Sequence, residues 1–264
     1  MNNPIGIIDS GIGGLSIASV LIKGLPKESF IYLADSKNCP YGVKNKDEIY
    51  RLTKKMVEFL VKKKIKLLVV ACNTITVTSI DKLRKEFKEI PIVGIVPVIK
   101  TAREKTQNGK IGVFSTVATA NSSYQKDLIN KFTKGSTVIN YGSSNLVSLI
   151  EKGNEKQINK LLKEELKIFK ENNIDTLALG CSHFPLIKRQ IGEILPNILI
   201  LDSSEAVARQ AKRILKNNKI LSSSQNSDYN FLMTGNKEFF SKFVKKIIGN
   251  KLTNKAKLSR ISLP

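Results

Sequence analysis

The residues able to do chemistry in this chain stand where apolar runs stop. The run Thr176-Leu177-Ala178-Leu179 ends at Gly180 and is followed at once by Cys181, Ser182 and His183, and His183 is the chain's one histidine. In the same way, the run from Ile65 to Ala71 leads to Cys72, Asn73 and Thr74. A carboxylate, Asp9, closes a third run, Ile5-Gly6-Ile7-Ile8, and opens the glycine-rich segment Asp9 to Gly14. Zinc would want closely spaced ligands or several histidines, and a dithiol redox centre would want Cys-x-x-Cys. A Cys-His nucleophile remains open, because Cys181 and His183 stand two apart, but it leaves Asp9 and Cys72 without a part. Another use of the same residues is a pair of bases on opposite faces of one carbon acid, one removing a proton and the other supplying one from the far side. Two thiols suit that task if each has a neighbour to take its proton, Asp9 for Cys72 and His183 for Cys181.

Strands must position these side chains. A buried strand ending in glycine or another small residue turns tightly, so the next side chains emerge at its carboxyl end, where open α/β sheets hold their ligands. Strands are expected at 5–8, 30–34, 65–71 and 92–95, and between the second and third the residues Ile49, Leu52, Met56, Phe59 and Leu60 recur at helical spacing with lysines between them. Pro97 marks a crossing into a second half, which restarts with a strand from Lys110 that ends at Ser115 and Thr116. A strand and short helix ending at Glu151 follow, then one long helix built on Ile158, Leu161, Leu162, Leu166 and Phe169. After the Cys181 strand come a helix from Pro185, a strand at 198–201, a helix capped by Ser203 or Ser204, a polar loop, a last strand near 229–233 and a last helix over 237–248. The basic C-terminal tail is expected to be loosely held. Alternation of strands and helices throughout implies an α/β fold with a parallel sheet in each half.

Two features invite stronger readings and do not support them. The glycines at 11, 13 and 14 would let backbone N–H groups approach an anion, but they miss the G-x-G-x-x-G fingerprint and no Walker lysine follows. Cys39, before Pro40 in the sequence NCPYG, has no second histidine or paired thiol nearby and reads as a bystander, not a metal ligand.

Composition narrows the partners. The 264 residues are enough for a substantial core, and the net charge is +22. Of the 44 basic residues 37 are lysines, scattered over helix faces, whereas readers of phosphate and base edges lean on arginine. The charge therefore argues for solvated faces over a nucleic-acid site, while its field would still draw a small anionic substrate. Binding of nucleic acid, or of a nucleic-acid enzyme such as a topoisomerase, stays open as an additional role. Three cysteines without framework spacing point to reduced thiols. No run approaches the ~18 apolar residues of a membrane span, and the N-terminus lacks the pattern of a signal peptide, so a cytoplasmic protein is expected.

The segments IIDSGIGGLS, PYG, VVACNT, the stretch around Thr116 and LGCSHFPLI, in that order, resemble the signature segments of glutamate racemase, of the cofactor-independent Asp/Glu racemase family that serves cell-wall precursor synthesis. The resemblance implies two similar parallel-sheet α/β domains related by a pseudo-twofold axis, with glutamate between them. It places the first domain at 1–96 and 208–264 and the second at 97–207, and implies no cofactor, no metal and a homodimer. By the same resemblance Cys72 takes the proton from the D-enantiomer and Cys181 from the L-enantiomer. Asp9 assists Cys72, and His183 with Glu151 assists Cys181. Ser10, Pro40, Tyr41, Gly42, Asn73, Thr74, Thr116, Thr119 and Ser182 match positions that hold the substrate's carboxylates and ammonium. Aspartate racemase is the neighbouring alternative. Ser182 stands where threonine is commoner and keeps the hydroxyl, Phe184 stands where tyrosine is commoner and loses one, and ATANSSY around Thr119 lacks the usual β-branched residue.

Overall fold

The computed structural model describes residues 3–95, 98–249, 252 and 256–263; Pro97, read as the crossing between halves, lies outside them. The chain divides into two compact units, Met1–Ile95 with Ser204–Pro264, and Val96–Ser203. Ten strands run through the described residues: β1 Ile5–Asp9, β2 Phe30–Ala34, β3 Leu67–Val70, β4 Ile92–Gly94, β5 Lys110–Thr116, β6 Thr137–Ser143, β7 Thr176–Gly180, β8 Leu199–Leu201, β9 Tyr229–Met233 and β10 Ala256–Arg260. They form a six-stranded sheet of order β10-β9-β2-β1-β3-β4 and a four-stranded sheet of order β6-β5-β7-β8. Every pairing in both is parallel.

The two sheets share one plan, since β2-β1-β3-β4 and β6-β5-β7-β8 are the same order shifted by four strands. In each the order reverses beside the first strand, between β1 and β3 and between β5 and β7. Such a switch point is where open parallel sheets leave a crevice at the strands' carboxyl ends. The central strands are covered on both faces, which is why β1 (IGIID), β3 (LLVV) and β7 (TLALG) are buried along their whole length and read as continuous apolar runs.

Helix Lys46–Lys62 shows how sequence builds the first unit. Asn45 caps it by accepting from Glu48 N at 2.9 Å, Asp47 and Glu48 lie in its first turn, and Ile49, Thr53, Met56, Val57 and Leu60 form its buried stripe. The C-terminal part of the chain is tied into this unit by a buried ion pair. Lys66 Nζ lies 2.6 Å from Glu28 Oε2, and Lys66 also donates to Ile220 O at 2.7 Å while Glu28 accepts from Ser222 N at 2.8 Å. The extra hydrogen bonds offset the desolvation of the two charges.

The tail departs from expectation. It contributes β10, whose residues Ala256 to Arg260 pair with Tyr229 to Met233. Ala256 and Leu258 of AKLSR are half-buried while the polar residues between and after them are exposed, an alternation too short and too polar to stand out within a basic tail. The long helix expected over 158–169 is also two helices, Glu155–Glu165 and Lys167–Glu171, joined at Leu166. Its expected face survives the break, because Ile158, Leu162, Leu166 and Phe169 are buried.

In the second unit Phe114 of β5 packs on Phe184 with ring centroids 4.5 Å apart and meets Phe169 edge-on at 5.7 Å. Phe184 is fully buried, so its lack of a hydroxyl leaves no polar group to satisfy. At the opposite ends of the strands Asp175 accepts from Thr106 Oγ1, Gln107 N and Asn108 N at 2.6–2.7 Å. Desolvation alone would raise its pKa, but these donors together hold it below the usual carboxylate value.

Candidate active site

In the first unit the expected residues gather at the carboxyl ends of β1 and β3. Asp9 ends β1, fully buried, and its Oδ1 accepts from Gly11 N at 2.7 Å. Tyr32 Oη donates to Gly11 O at 2.7 Å, so the turn is held from both sides. The glycine run has a steric cause at Gly14. A Cβ there would stand 2.8 Å from Asp9 Cβ, 2.9 Å from Ala71 Cβ and 2.9 Å from Tyr32 Oη. Helix Leu15–Gly24 can therefore begin this close to Asp9 and the end of β3 only without a side chain at position 14.

Cys72 occupies the N-cap position of helix Asn73–Glu86, where the helix's partial positive charge favours an anionic sulfur. Its Sγ lies 3.8 Å from Ser10 Oγ. Asn73 and Thr74 follow on the first turn, both buried. Asn73 is unusual: neither its Oδ1 nor its Nδ2 has a hydrogen-bond partner among the described residues. A buried amide with both ends unsatisfied is costly unless a ligand completes it.

Pro40, Tyr41 and Gly42 lie on the turn after β2, with Tyr41 fully buried at the start of a short 3-10 helix. Tyr41 Oη donates to Asp35 Oδ2 at 2.6 Å. Burial, then the Asp35 charge and hydrogen bond, and then the Cys72 and Cys39 thiols push its pKa well above that of an ordinary phenol.

In the second unit Cys181, Ser182 and His183 follow β7, and all three are buried. His183 Nε2 lies 2.6 Å from Glu151 Oε1, and Ser182 Oγ lies 3.5 Å from His183 Nδ1. Glu151 is the last residue of helix Leu146–Glu151. Thr116 ends the neighbouring β5 and caps helix Val117–Ala120, its Oγ1 donating to Thr119 Oγ1 at 3.0 Å and accepting from Thr119 N at 3.4 Å. The expected residues thus form two groups, one in each unit, each at its sheet's switch point. They differ in what each holds: a thiol at a helix N-terminus and a buried acid in one, a thiol and an acid-paired imidazole in the other.

Two supporting groups escape a reading of the sequence. Asp35, buried just beyond β2, accepts from Asn38, Tyr41 and Thr234, and so fastens the Pro40 turn to the end of β9. It comes directly after its strand, much as Asp9 closes β1, and that parallel was available in the sequence. The other is Ser143, whose Oγ donates to Glu165 Oε1 at 2.9 Å and accepts from Leu146 N at 3.2 Å, thereby starting the helix that carries Glu151. Burial raises the pKa of Glu165, a shift that the Ser143 bond opposes.

Residues 5–211 match the model of the Asp/Glu/hydantoin racemase family. The chain belongs to that family. It is 42% identical to the glutamate racemase of Clostridium acetobutylicum over 222 residues, 83% of this chain and 87% of that protein. Among solved structures, a glutamate racemase isoform from Bacillus anthracis superimposes with a TM-score of 0.88 at 32% identity, covering 99% of this chain and 98% of the other. The glutamate racemase of Francisella tularensis, solved in complex with D-glutamate, gives 0.86 at 32% identity over 99% and 98%. Membership in the racemase family makes the chain an enzyme, and it covers these relatives over most of their length. No helix among the described residues is long and apolar enough to cross a membrane.

Proposed function

We propose that this enzyme is a glutamate racemase that interconverts L- and D-glutamate by a two-thiol proton transfer at Cα. The observation that carries the proposal is the duplication: two thiols at the ends of equivalent switch-point strands in two sheets of one plan, with Asp9 closing the strand next to the first and His183, paired to Glu151, two residues after the second. From L-glutamate, Cys181 Sγ takes the Cα proton, with His183 and Glu151 stabilising the thiolate that starts the step. The carbon flattens, and Cys72 delivers a different proton to the opposite face, leaving a thiolate that the helix N-terminus stabilises until Asp9 helps to return a proton to it. The reverse reaction exchanges the two roles. Positioned acid and base replace the electron sink of a cofactor, so the reaction is expected to need neither cofactor nor metal.

Ser10, Asn73, Thr74, Thr116, Thr119 and Ser182 offer neutral donors for the two carboxylates, with the Pro40 to Gly42 turn beside them. The unsatisfied amide of Asn73 is the strongest single sign of a polar ligand in the first unit. A shorter aspartate would leave such buried donors unmatched, at roughly 1–3 kcal/mol for each, so glutamate should be preferred. The product fits a role in supplying D-glutamate for peptidoglycan precursors in the cytoplasm, by a homodimer.

The test is to follow L-glutamate by circular dichroism with pure protein after dialysis against a chelator, without pyridoxal phosphate. Decay of the signal to zero supports the proposal. A flat signal, or a faster decay with L-aspartate, overturns the assignment to glutamate.

A further inference from the structure

Racemisation as proposed leaves one thiol unused, and that thiol is not remote from the others. Cys39 Sγ lies 4.0 Å from Ser10 Oγ, and the same hydroxyl stands 3.8 Å from Cys72 Sγ. Both sulfurs therefore lie within 4.0 Å of the same hydroxyl. Both thiols also add, least among its causes, to the raised pKa of the buried Tyr41 phenol, so both lie near that ring. They differ in access, since Cys72 is buried and Cys39 is half-buried. Thus a more exposed thiol and a buried one meet at the same hydroxyl, that of Ser10. Rotation of Ser10 about its Cα–Cβ bond would move that hydroxyl aside, and disulfide formation needs the two sulfurs to close to about 2.05 Å.

We propose that Cys39 and Cys72 form a disulfide when the protein meets peroxide, with Cys39 as the thiol first oxidised and Cys72 as the resolving thiol. Cys39 attacks one peroxide oxygen as its thiolate, the O–O bond breaks, and hydroxide leaves behind a sulfenic acid. Cys72 then attacks the Cys39 sulfur, the S–S bond forms, the S–O bond breaks and a second hydroxide leaves. The two hydroxides take the two thiol protons, so hydrogen peroxide gains two electrons and becomes two waters while two thiols become one disulfide. The bond stops the strand-end sulfur at Cys72 from carrying a proton until a reductant restores it. A cytosolic disulfide of this kind is transient, unlike a structural one. The effect on turnover rests on the proposed role of Cys72 as a base; formation of the bond does not.

The experiment treats the reduced full-length chain with one equivalent of hydrogen peroxide. It then blocks remaining thiols, digests with trypsin without reductant and reads the peptides by mass spectrometry. Expected is a linked pair, Asn38–Lys44 joined to Leu67–Lys82, a fall in titratable thiols from three to one, and racemisation that is lost and then recovered with dithiothreitol. In Cys39→Ser the same treatment should give no link to the Cys72 peptide and leave turnover in place. A Cys39 that stops at sulfenic acid, trapped by dimedone with Cys72 still titratable, overturns the inference. A link that joins Cys181 instead also overturns it. If the Cys39–Cys72 link forms and racemisation continues, the inference stands and the role of Cys72 as a base falls.

Discussion

Glu151 Oε1 lies 2.6 Å from His183 Nε2, and the imidazole is 2% exposed while the carboxylate is 15% exposed. An ionised carboxylate can only accept, so Nε2 carries the hydrogen and, in the neutral ring, Nδ1 keeps the lone pair that makes it a base. The acid thereby selects the tautomer as well as favouring the imidazolium. Glu151→Ala should lower kcat/KM by about 100-fold, within the range of general acid–base assistance. The loss must be equal in both directions, because the equilibrium constant between enantiomers is one. Steady-state kinetics from each enantiomer checks this, and wild-type values would remove Glu151 from the site.

Gly14 gives a prediction about positioning. A methyl group there meets Asp9, Ala71 and Tyr32 at once. Gly14→Ala should cost about 1–3 kcal/mol of stability, as overpacking does, and depress turnover because Asp9 moves. Gly24→Ala is the control, since nothing lies within 4 Å of its added Cβ and the expected change is within about 0.5 kcal/mol. Urea unfolding of both variants decides it; equal midpoints would show that the glycine is not sterically required.

Tyr41 couples stability to pH. Its pKa is raised on folding, mainly by burial and then by Asp35, so between the unfolded and folded pKa values the folded state holds a proton that the unfolded state has lost. Stability supplied by the neutral phenol is fully present below about pH 10, the ordinary tyrosine value, and declines above it. Tyr41→Phe should therefore destabilise by about 1–3 kcal/mol at pH 7, because Asp35 loses a buried donor, and the deficit should shrink above pH 10. Thermal melts at pH 7 and pH 10.5 read the difference, and a deficit that grows with pH would contradict it.

Cys72→Ala and Cys181→Ala should each abolish racemisation, by at least about 100-fold, while circular dichroism of the backbone stays native. The two truncations are small beside the cores they sit on, so a folding explanation for the loss is testable directly by their melting curves. Full turnover in either variant would exclude that thiol as a base.

Much of this was legible in the sequence for a physical reason: strands buried on both faces are continuous apolar runs, and the side chains at the carboxyl end of each run stand at the crevice. Asp9, Cys72 and Cys181 were found in that way. Asp35 closes its run just as Asp9 does, but with no thiol or histidine beside it, it gave no sign of the bonds it accepts from Asn38, Tyr41 and Thr234. Residues 256–260 gave little sign either, because their alternation covers only Ala256 to Ser259 and an edge strand is held chiefly by its backbone partner. The break at Leu166 was hidden because both helices continue the same buried face. Cys39 reads as a bystander in the sequence, where nothing shows that Ser10, 29 positions away, is its neighbour in space.

The central claim is that two thiols act from opposite faces of one carbon, and heavy water tests it most directly. With pure L-glutamate as substrate in deuterium oxide, proton NMR at a few per cent conversion should show deuterium at Cα of the D-glutamate formed, delivered by a Cys72 already exchanged with solvent. The remaining L-glutamate should stay protonated, because return from the intermediate uses the proton Cys181 has just taken. Starting from D-glutamate, the pattern should be mirrored. Equal early deuteration of both enantiomers, or product that keeps the original proton, would contradict the account, since either result belongs to a single base that serves both faces.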